Sequence, residues 1–264
     1  MIFQYRPIII YVVKFTSAAK TSNKINNLME GDNKIKFQAI LFDLDGTLLD
    51  TLADLANSMN AVLTRLGFPT HPTDSYRYFI GEGLDCLVRN VLPKDRLDDK
   101  TVSKSMAAMQ DEYSKHWADN TKPYPGIPEL LSALQEQKIP KAVLSNKPDE
   151  FTQITVEKLL PNWSFRIVRG VRPSVPKKPD PAAAIDIARE LQIPPCRFLY
   201  LGDTDVDMQT ANSAGMYAAG ALWGFRTAKE LLANGAKTLM ENPQDVMKFF
   251  NNSQKTCPRP SNYC

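Results

Sequence analysis

The chain reads FQAILFDLDGT from Phe37 to Thr47, an apolar run followed at once by an acid-rich turn. A short run that is apolar throughout is typical of a strand buried on both faces. Similar runs recur at Ala142 to Leu144, Phe165 to Val168, Phe198 to Leu201 and Tyr217 to Ala221, with amphipathic segments between them. This alternation predicts an α/β fold, a doubly wound parallel sheet with helices on both faces.

One interval of the chain is too long for a simple crossover between strands. On the order of a hundred residues separate the first predicted strand from the second, whereas a crossover helix needs only a dozen or two. The interval contains a helical stripe from Leu52 to Leu66 and a second helical pattern from about Asp98 to Trp117. We therefore expect an inserted α-helical domain over 54–122, inside a core formed by 36–53 and 123–250.

Composition and charge exclude several classes of protein. The chain has 264 residues, of which 43% are hydrophobic and 23% charged, and these fractions exclude disorder throughout. The net charge is only +3 and no dense basic block occurs, so nucleic acid is not an expected partner. The cysteines form no CxxC pair, which argues for reduced thiols and against a zinc site. No apolar run approaches the ~20 residues that span a bilayer, so no membrane partner is expected.

The two ends of the chain differ in composition from the rest. Residues 1–29 carry basic side chains but no acidic one, and they are rich in serine, threonine and asparagine. Three explanations fit: a transit-like leader, a weak secretory signal, or translation upstream of a true start at Met29. We expect 1–35 to be a dispensable extension and 251–264 a loose tail. The expected location is the cytoplasm, with organellar targeting by the extension left open.

Polar residues cluster after the predicted strands, where the carboxyl ends of parallel strands form the ligand-binding edge of an open sheet. Each cluster alone has a bland explanation, because acidic turns and serine or asparagine caps are common without any function. Together they would converge on one edge of one sheet. The clusters are Asp43 and Asp45 after the first strand, Ser145 and Asn146 after the second, Lys177 and Lys178 after the third, and Asp203, Asp205 and Asp207 after the fourth.

The residue types in these clusters suit phosphoryl transfer assisted by a metal. Carboxylates brought together repel one another, and a divalent cation among them relieves that repulsion. Oxygen ligands without thiol or imidazole favour Mg²⁺ over zinc. Lys178, with Ser145 and Asn146, supplies the positive charge and the hydrogen-bond donors that phosphate oxygens require. The sequence therefore predicts a site for Mg²⁺ and a phosphate group.

Four segments of the chain resemble a known set of motifs. DLDGT at 43–47, SNK at 145–147, KKPDP at 177–181 and GDTDVD at 202–207 are similar, in order and spacing, to the four motifs of the haloacid dehalogenase superfamily of phosphatases. Within it the chain looks most like the phosphoglycolate phosphatase group, which implies a Rossmann-like core with a small helical cap. The closer resemblance rests on Asp50-Thr51, Asp54, Gly81-Glu82-Gly83-Leu84 and Trp223-Gly224-Phe225-Arg226.

The resemblance implies a role for most of the acidic motif residues. Asp43 would be the nucleophile, and Asp45 would be the general acid and base. Asp203 would bind Mg²⁺ together with Asp43 and the backbone carbonyl of Asp45, while Asp207 would support that shell. The role of Asp205 stays open, because the family leaves its position variable.

The other motif residues would, by the same resemblance, bind the phosphate and cover the site. Ser145, with the backbone amide of Asn146, would hold phosphate oxygens. Lys178 would neutralise the nucleophile and the phosphoryl group, with Lys177 kept as an alternative. The segment Gly81-Glu82-Gly83 would lie nearest the substrate, although a plain turn between cap helices explains its acidic residue equally well.

The function implied is that of a Mg²⁺-dependent phosphomonoester hydrolase acting on a small phosphorylated metabolite through a phospho-aspartate. 2-Phosphoglycolate is the favoured substrate. A sugar-phosphate mutase, a pyrophosphatase or a nucleotidase of the same superfamily stays open. In a different class, a receiver-like signalling module phosphorylated on Asp43 uses a similar constellation, but Asp45 and the large insert argue against it. The oligomeric state is not predicted.

Overall fold

The computed structural model describes residues 37–250, so the expectations for 1–35 and 251–264 lie outside the described residues. A six-stranded sheet forms its centre. The strands in chain order are β1 (Ala39–Phe42), β2 (Leu49–Asp50), β3 (Lys122–Pro123), β4 (Lys141–Pro148), β5 (Ile167–Val171), β6 (Phe198–Gly202), β7 (Tyr217–Ala221) and β8 (Thr238–Met240). The order in the large sheet is β5-β4-β1-β6-β7-β8, and every neighbouring pair is parallel. This confirms the predicted α/β fold.

The observed strands differ from the predicted ones mainly at their ends. β4 continues beyond its apolar run because the polar residues 145–147 are buried as well. β5 begins at Ile167, so Phe165 lies outside the strand and packs against the core from its edge. β8 was not predicted, because Met240 is its only buried residue and a short edge strand gives a weak apolar signal.

Helices cover both faces of the sheet. They are α1 (Leu52–Leu66), α2 (Leu84–Val91), α3 (Asp99–His116), α4 (Ile127–Glu136), α5 (Asp149–Leu159), α6 (Ala182–Glu190), α7 (Asp205–Ser213) and α8 (Ala228–Ala233). Side chains of β1 alternate between two hydrophobic clusters. Ile40 and Phe42 pack with residues of α4 and α5, whereas Ala39 and Leu41 pack with residues of α6 and α7. Burial on both faces explains why the run before Asp43 is apolar without interruption.

The helices α1, α2 and α3 lie between β2 and β3 in the chain and share a third hydrophobic cluster, to which Phe225 of the core also belongs. Met59 and Leu63 of α1, Val88 of α2 and Met109 of α3 are buried in it. The predicted stripe and long helix match α1 and α3 to within one residue at each end. Within residues 37–250, the length and apolar character needed to cross a bilayer are not found in any helix.

Two chain segments connect this helical insert to the sheet, and they lie side by side. β2 leaves the core and β3 returns to it, and the two pair antiparallel. Next to them, the buried carboxylate of Asp54 accepts hydrogen bonds from the backbone and side chains of Asn120 and Thr121. Burial alone would raise the pKa of Asp54, but these hydrogen bonds outweigh it and hold the pKa below its usual value. The hydrogen bonds of Asp54 thus hold the two ends of the insert together beside the β2–β3 pair.

Candidate active site

A tight turn after β1 carries the first two acidic residues. The Leu44 carbonyl accepts hydrogen bonds from three successive backbone N–H groups, and the Gly46 N–H donates to the Leu49 carbonyl at 2.9 Å. Gly46 has φ of +90°, and a β-carbon at this position would overlap the carboxylate of Asp203. Glycine is therefore required here, both for the left-handed backbone and for the close approach of the turn to an acidic side chain.

Asp43, Asp203 and Asp207 form a buried cluster in which one carboxylate oxygen of each lies within 4.8 Å of the others. Burial and the neighbouring carboxylates raise the pKa of Asp43 well above its usual range and that of Asp203 to about 7. Asp203 accepts hydrogen bonds from Thr47 Oγ1 at 2.7 Å and from the Phe225 N–H at 2.8 Å. Hard oxygens held in this way fit a divalent cation, whose charge would offset their repulsion.

Lys178 lies against this cluster and is itself buried. Its Nζ donates to Oδ1 of Asp43 and to Oδ1 of Asp207, both at 2.7 Å, and to the Leu144 carbonyl at 3.1 Å. The second oxygen of Asp207 accepts hydrogen bonds from the N–H and hydroxyl of Thr204. Burial disfavours the ammonium, but the two carboxylates outweigh it and raise the pKa of Lys178 well above its ordinary value. Asp207 thus positions Lys178 beside Asp43.

Ser145 and Asn146 lie near the end of the buried part of β4. The Ser145 hydroxyl accepts a hydrogen bond from the Lys147 N–H at 3.2 Å, and Ser145 lines a cavity. Oδ1 of Asn146 accepts from the Lys178 N–H at 2.9 Å, and its Nδ2 donates to the carbonyls of Lys178 and Gly81 at 3.0 Å each. The side chain of Asn146 therefore ties the Lys178 loop to the insert.

Lys177 and Glu82 lie outside the acidic cluster. The Nζ of Lys177 donates to the Glu82 carbonyl at 2.6 Å and lies 3.6 Å from Cys86 Sγ. Glu82 is exposed, whereas its neighbours Gly81 and Gly83 line the cavity. The segment expected nearest the substrate thus faces the cavity with its glycine backbone and turns its acidic residue to solvent.

Sequence reasoning did not single out a buried pair formed by Lys147 and Tyr113. The Nζ of Lys147 donates to Oδ1 of Asp45 at 2.8 Å and to the Tyr113 hydroxyl at 3.2 Å. Burial disfavours its charge, but Asp45 and Tyr113 more than offset this and raise the pKa of Lys147. Burial raises the pKa of Tyr113 to about 12, so its phenol stays protonated at neutral pH. The only indication of this pair in the sequence was that Lys147 is the third residue of the SNK segment.

A cavity of about 320 Å³ lies between the sheet edge and the insert. Asp43, Asp45, Ser145 and Lys147 form part of its wall. Among the described residues, Lys147 is the only cationic one that lines it. Much of the remaining wall is apolar and is formed by Leu55, Ile80, Leu84, Leu87, Met109, Phe151 and Ile154.

Arg226 connects the core to the part of the insert that borders the cavity. Its guanidinium donates to the carbonyls of Arg77 and Ile80 and pairs with Asp205 at 3.2 Å. Arg77 in turn donates to the Gly224 carbonyl at 2.8 Å. This gives Asp205, whose role the sequence left open, a structural partner. Arg226 fixes the segment that leads into Gly81.

The sequence matches the haloacid dehalogenase-like hydrolase family over residues 40–221. It is 32% identical to a phosphoglycolate phosphatase of Aquifex aeolicus over 219 residues, which cover 81% of this chain and 97% of the relative. It is 30% identical to a phosphoglycolate phosphatase of Pseudomonas putida over 207 residues, which cover 77% of this chain and 76% of the relative. The similarity thus spans both the core and the insert.

Solved structures show the same fold. A protein of Haemophilus somnus, described as a predicted phosphoglycolate phosphatase, superposes with a TM-score of 0.76 at 26% identity, covering 81% of this chain and 98% of its own. A haloacid dehalogenase-like hydrolase of Streptococcus pneumoniae superposes with a TM-score of 0.73 at 25% identity, covering 81% and 99%. With its sheet-edge acidic cluster and these relatives, the chain belongs to the haloacid dehalogenase-like hydrolase family and is a phosphatase of that family.

Proposed function

We propose that the protein is a Mg²⁺-dependent phosphomonoester hydrolase that acts on a small phosphorylated metabolite through a phospho-aspartate on Asp43. The observation that carries this proposal is the position of Asp43, which lines the cavity with one oxygen held by Lys178 and lies close to Asp203 and Asp207. 2-Phosphoglycolate is the proposed substrate, because the relatives from Aquifex aeolicus and Pseudomonas putida are phosphoglycolate phosphatases.

Charge neutralisation is the main requirement of this reaction, because a phosphate dianion repels an anionic nucleophile and its uncatalysed hydrolysis is very slow. Asp43, Asp203 and the backbone carbonyl of Asp45 would hold Mg²⁺, with Asp207 behind them. When bound, the metal supplies positive charge to the phosphoryl oxygens. Lys178 adds a second positive charge at Asp43 Oδ1, and Ser145 provides a hydroxyl donor at the cavity wall.

The two acidic residues of the first motif divide the chemistry. Asp43 attacks phosphorus while Asp45 gives its proton to the departing alkoxide, which leaves a phospho-aspartate and a free alcohol. Asp45, now a carboxylate, takes a proton from water, and that water hydrolyses the intermediate to phosphate. Because Lys147 donates to Oδ1 of Asp45, we assign the transferred proton to Oδ2.

The helical insert, proposed as a cap over 54–122, would close the cavity during the first half-reaction and exclude water from the intermediate. Its contacts with the core support this arrangement. Asn146 donates to the Gly81 carbonyl, and Lys147 donates to the Tyr113 hydroxyl. The apolar wall weighs against a sugar as leaving group, because sugar hydroxyls would lose hydrogen bonds to water without replacement. A receiver-like module has no need of a covered site.

The test is phosphate release by the purified protein with Mg²⁺ from 2-phosphoglycolate, pyrophosphate, nucleoside monophosphates and hexose phosphates. We expect a preference of about a hundredfold for 2-phosphoglycolate, or about 2.7 kcal/mol of discrimination.

Asp43→Asn is the control variant, and it should abolish turnover while leaving the circular dichroism spectrum unchanged. Substantial turnover by this variant would contradict the nucleophile assignment. Release that is equal across all substrates would contradict 2-phosphoglycolate as the dedicated substrate, and release that persists in excess chelator would contradict the metal requirement.

A further inference from the structure

Two buried lysines lie at or next to the cavity, and they donate hydrogen bonds to different carboxylates. Lys178 donates to Asp43 and Asp207 on the phosphate side. Lys147 donates to Asp45, the proposed acid for the leaving group, and to Tyr113 of the insert. The mechanism uses the charge of Lys178 beside the phosphoryl group, whereas it uses Lys147 only to direct the proton of Asp45 to Oδ2.

A buried ammonium is costly unless it is paired, so its position in a largely apolar cavity requires an explanation. Lys147 is only 8% exposed. Its Nζ lies 5.2 Å from the ring centroid of Tyr113 and 5.6 Å from that of Phe151, so aromatic faces add to its stabilisation. Its hydrogen bonds to Asp45 and Tyr113 use two of the three donors of an ammonium, and one is left for a ligand in the cavity.

The location of this ammonium matches a second anionic group on the substrate. The ester oxygen must lie beside Asp45 to receive its proton. In a phosphate ester of a 2-hydroxy acid, the carboxylate is attached to the carbon that carries the ester oxygen, so it lies next to Asp45 as well. Lys147 is the cation at that position, and the apolar wall formed by residues such as Leu87 and Met109 lowers the local dielectric and strengthens its attraction for a carboxylate.

Resting on the proposed function, we propose that Lys147 and the Tyr113 hydroxyl bind the carboxylate of the leaving group and thereby select phosphate esters of 2-hydroxy acids. Charge-assisted hydrogen bonds of this kind are stronger than neutral ones and direct specificity. Since Tyr113 belongs to α3 of the insert and Lys147 to β4 of the core, a carboxylate bound by both also joins the two parts of the molecule over the cavity.

The experiment compares 2-phosphoglycolate with 2-hydroxyethyl phosphate, an ester of similar size whose leaving group carries no charge. The measured quantity is the ratio of kcat/KM for the two esters. We expect a wild-type ratio of about a hundred, which Lys147→Met should lower about 30-fold, since hydrogen bonds to charged groups contribute roughly 1.5–3 kcal/mol. Lys147→Arg keeps the charge, so its ratio should lie between those of Lys147→Met and the wild type. Tyr113→Phe should lower the wild-type ratio about fivefold.

The matched control is Lys158→Met, which removes an exposed lysine that also lies over an aromatic ring, that of Trp117. Its ratio should equal that of the wild type. If Lys147→Met is poorly folded by circular dichroism, Tyr113→Phe and Lys147→Arg carry the test, because both keep the side-chain volume near that of the original residue.

Several outcomes would overturn the inference. A wild-type ratio near one, with both esters hydrolysed, would contradict it and leave the proposed phosphatase mechanism intact. An equal loss on both esters in Lys147→Met, or an unchanged ratio in Tyr113→Phe, would contradict binding of the carboxylate by this pair. Failure of the wild type to hydrolyse any phosphomonoester would overturn the proposed function and this inference together.

Discussion

The part of the cavity wall formed by the strand ends is polar and hydrogen-bonded, whereas much of the wall from the insert is apolar. Behind that part of the wall, Asp203 and Asp207, which do not line the cavity, each accept hydrogen bonds at both carboxylate oxygens. On the insert side, Leu84, Leu87 and Met109 offer contact area but no charge. We infer that the core determines which reaction takes place, while the insert and Lys147 determine which leaving group is accepted.

The largest effect should come from breaking the close approach of Gly46 to Asp203. Gly46→Ala places a β-carbon against the Asp203 carboxylate at a backbone φ of +90°. We expect kcat/KM to fall at least ~100-fold and the free energy of unfolding to decrease by about 1–3 kcal/mol. Steady-state kinetics and urea denaturation would measure the two effects.

A matched control separates backbone strain from the effect on the site. Gly67 ends α1 with φ of +75°, and a β-carbon added there would meet no other atom within 4 Å. Gly67→Ala should therefore cost about 1 kcal/mol of stability and leave kcat/KM unchanged. Equal activity losses in both variants would show that the contact of Gly46 with Asp203 imposes no steric requirement on the site.

The next effect is that of Mg²⁺ on stability, and it should depend on pH. Because the folded state raises the pKa of Asp203 from 3.8 to about 7, the folded protein binds its proton more tightly than the unfolded chain. Without metal, this carboxyl therefore lowers stability as pH rises through that window. Mg²⁺ should raise Tm by several degrees at pH 8 and have little effect at pH 5.

Differential scanning calorimetry with Mg²⁺ or excess chelator at both pH values would measure this. Asp203→Asn should remove the Mg²⁺ effect, while Asp186→Asn, a change at a partly exposed acid paired with Arg189, should retain it. A Tm increase of the same size at pH 5 and pH 8 would contradict the acidic cluster as the metal site.

The smallest effect concerns the contact between the two walls. Arg226→Met removes the hydrogen bonds to the Arg77 and Ile80 carbonyls and should loosen the segment before Gly81. We expect KM for 2-phosphoglycolate to rise about fivefold with a smaller change in kcat, since one or two hydrogen bonds contribute roughly 1 kcal/mol. Arg189→Met, which removes an exposed arginine, should leave both constants unchanged. If KM and kcat were the same in Arg226→Met and Arg189→Met, the proposed role of Arg226 in holding the segment before Gly81 would be contradicted.

The sequence predicted the fold because local patterns specify it. Because β1 is buried on both faces, the run before Asp43 is apolar throughout. The apolar stripe of α1 is the face of that helix that packs in the insert. The edge strand β8 escaped prediction, because only Met240 is buried in it. An edge strand is short and partly exposed, so its pattern carries little information.

The polar residues of the candidate site that follow the strands could also be picked out from the sequence, because the topology of a parallel sheet brings the ends of its strands together. Of the insert wall, only the segment with Gly81 and Gly83 was predicted. Tyr113 occupies a buried position on α3 beside Met109 and looks like an ordinary core residue. Its contact with Lys147 spans 34 positions of the chain, and no local pattern encodes such a pairing. The exposure of Glu82 likewise depends on the loop conformation.

The phospho-aspartate on Asp43 can be detected in a single turnover of 2-phosphoglycolate labelled in its phosphate, quenched with acid and followed by peptide mapping. We expect label to appear transiently on the peptide containing Asp43 in the wild type and never in Asp43→Asn. Phosphate released in a single turnover without any labelled protein, together with turnover by Asp43→Asn, would contradict the proposed mechanism.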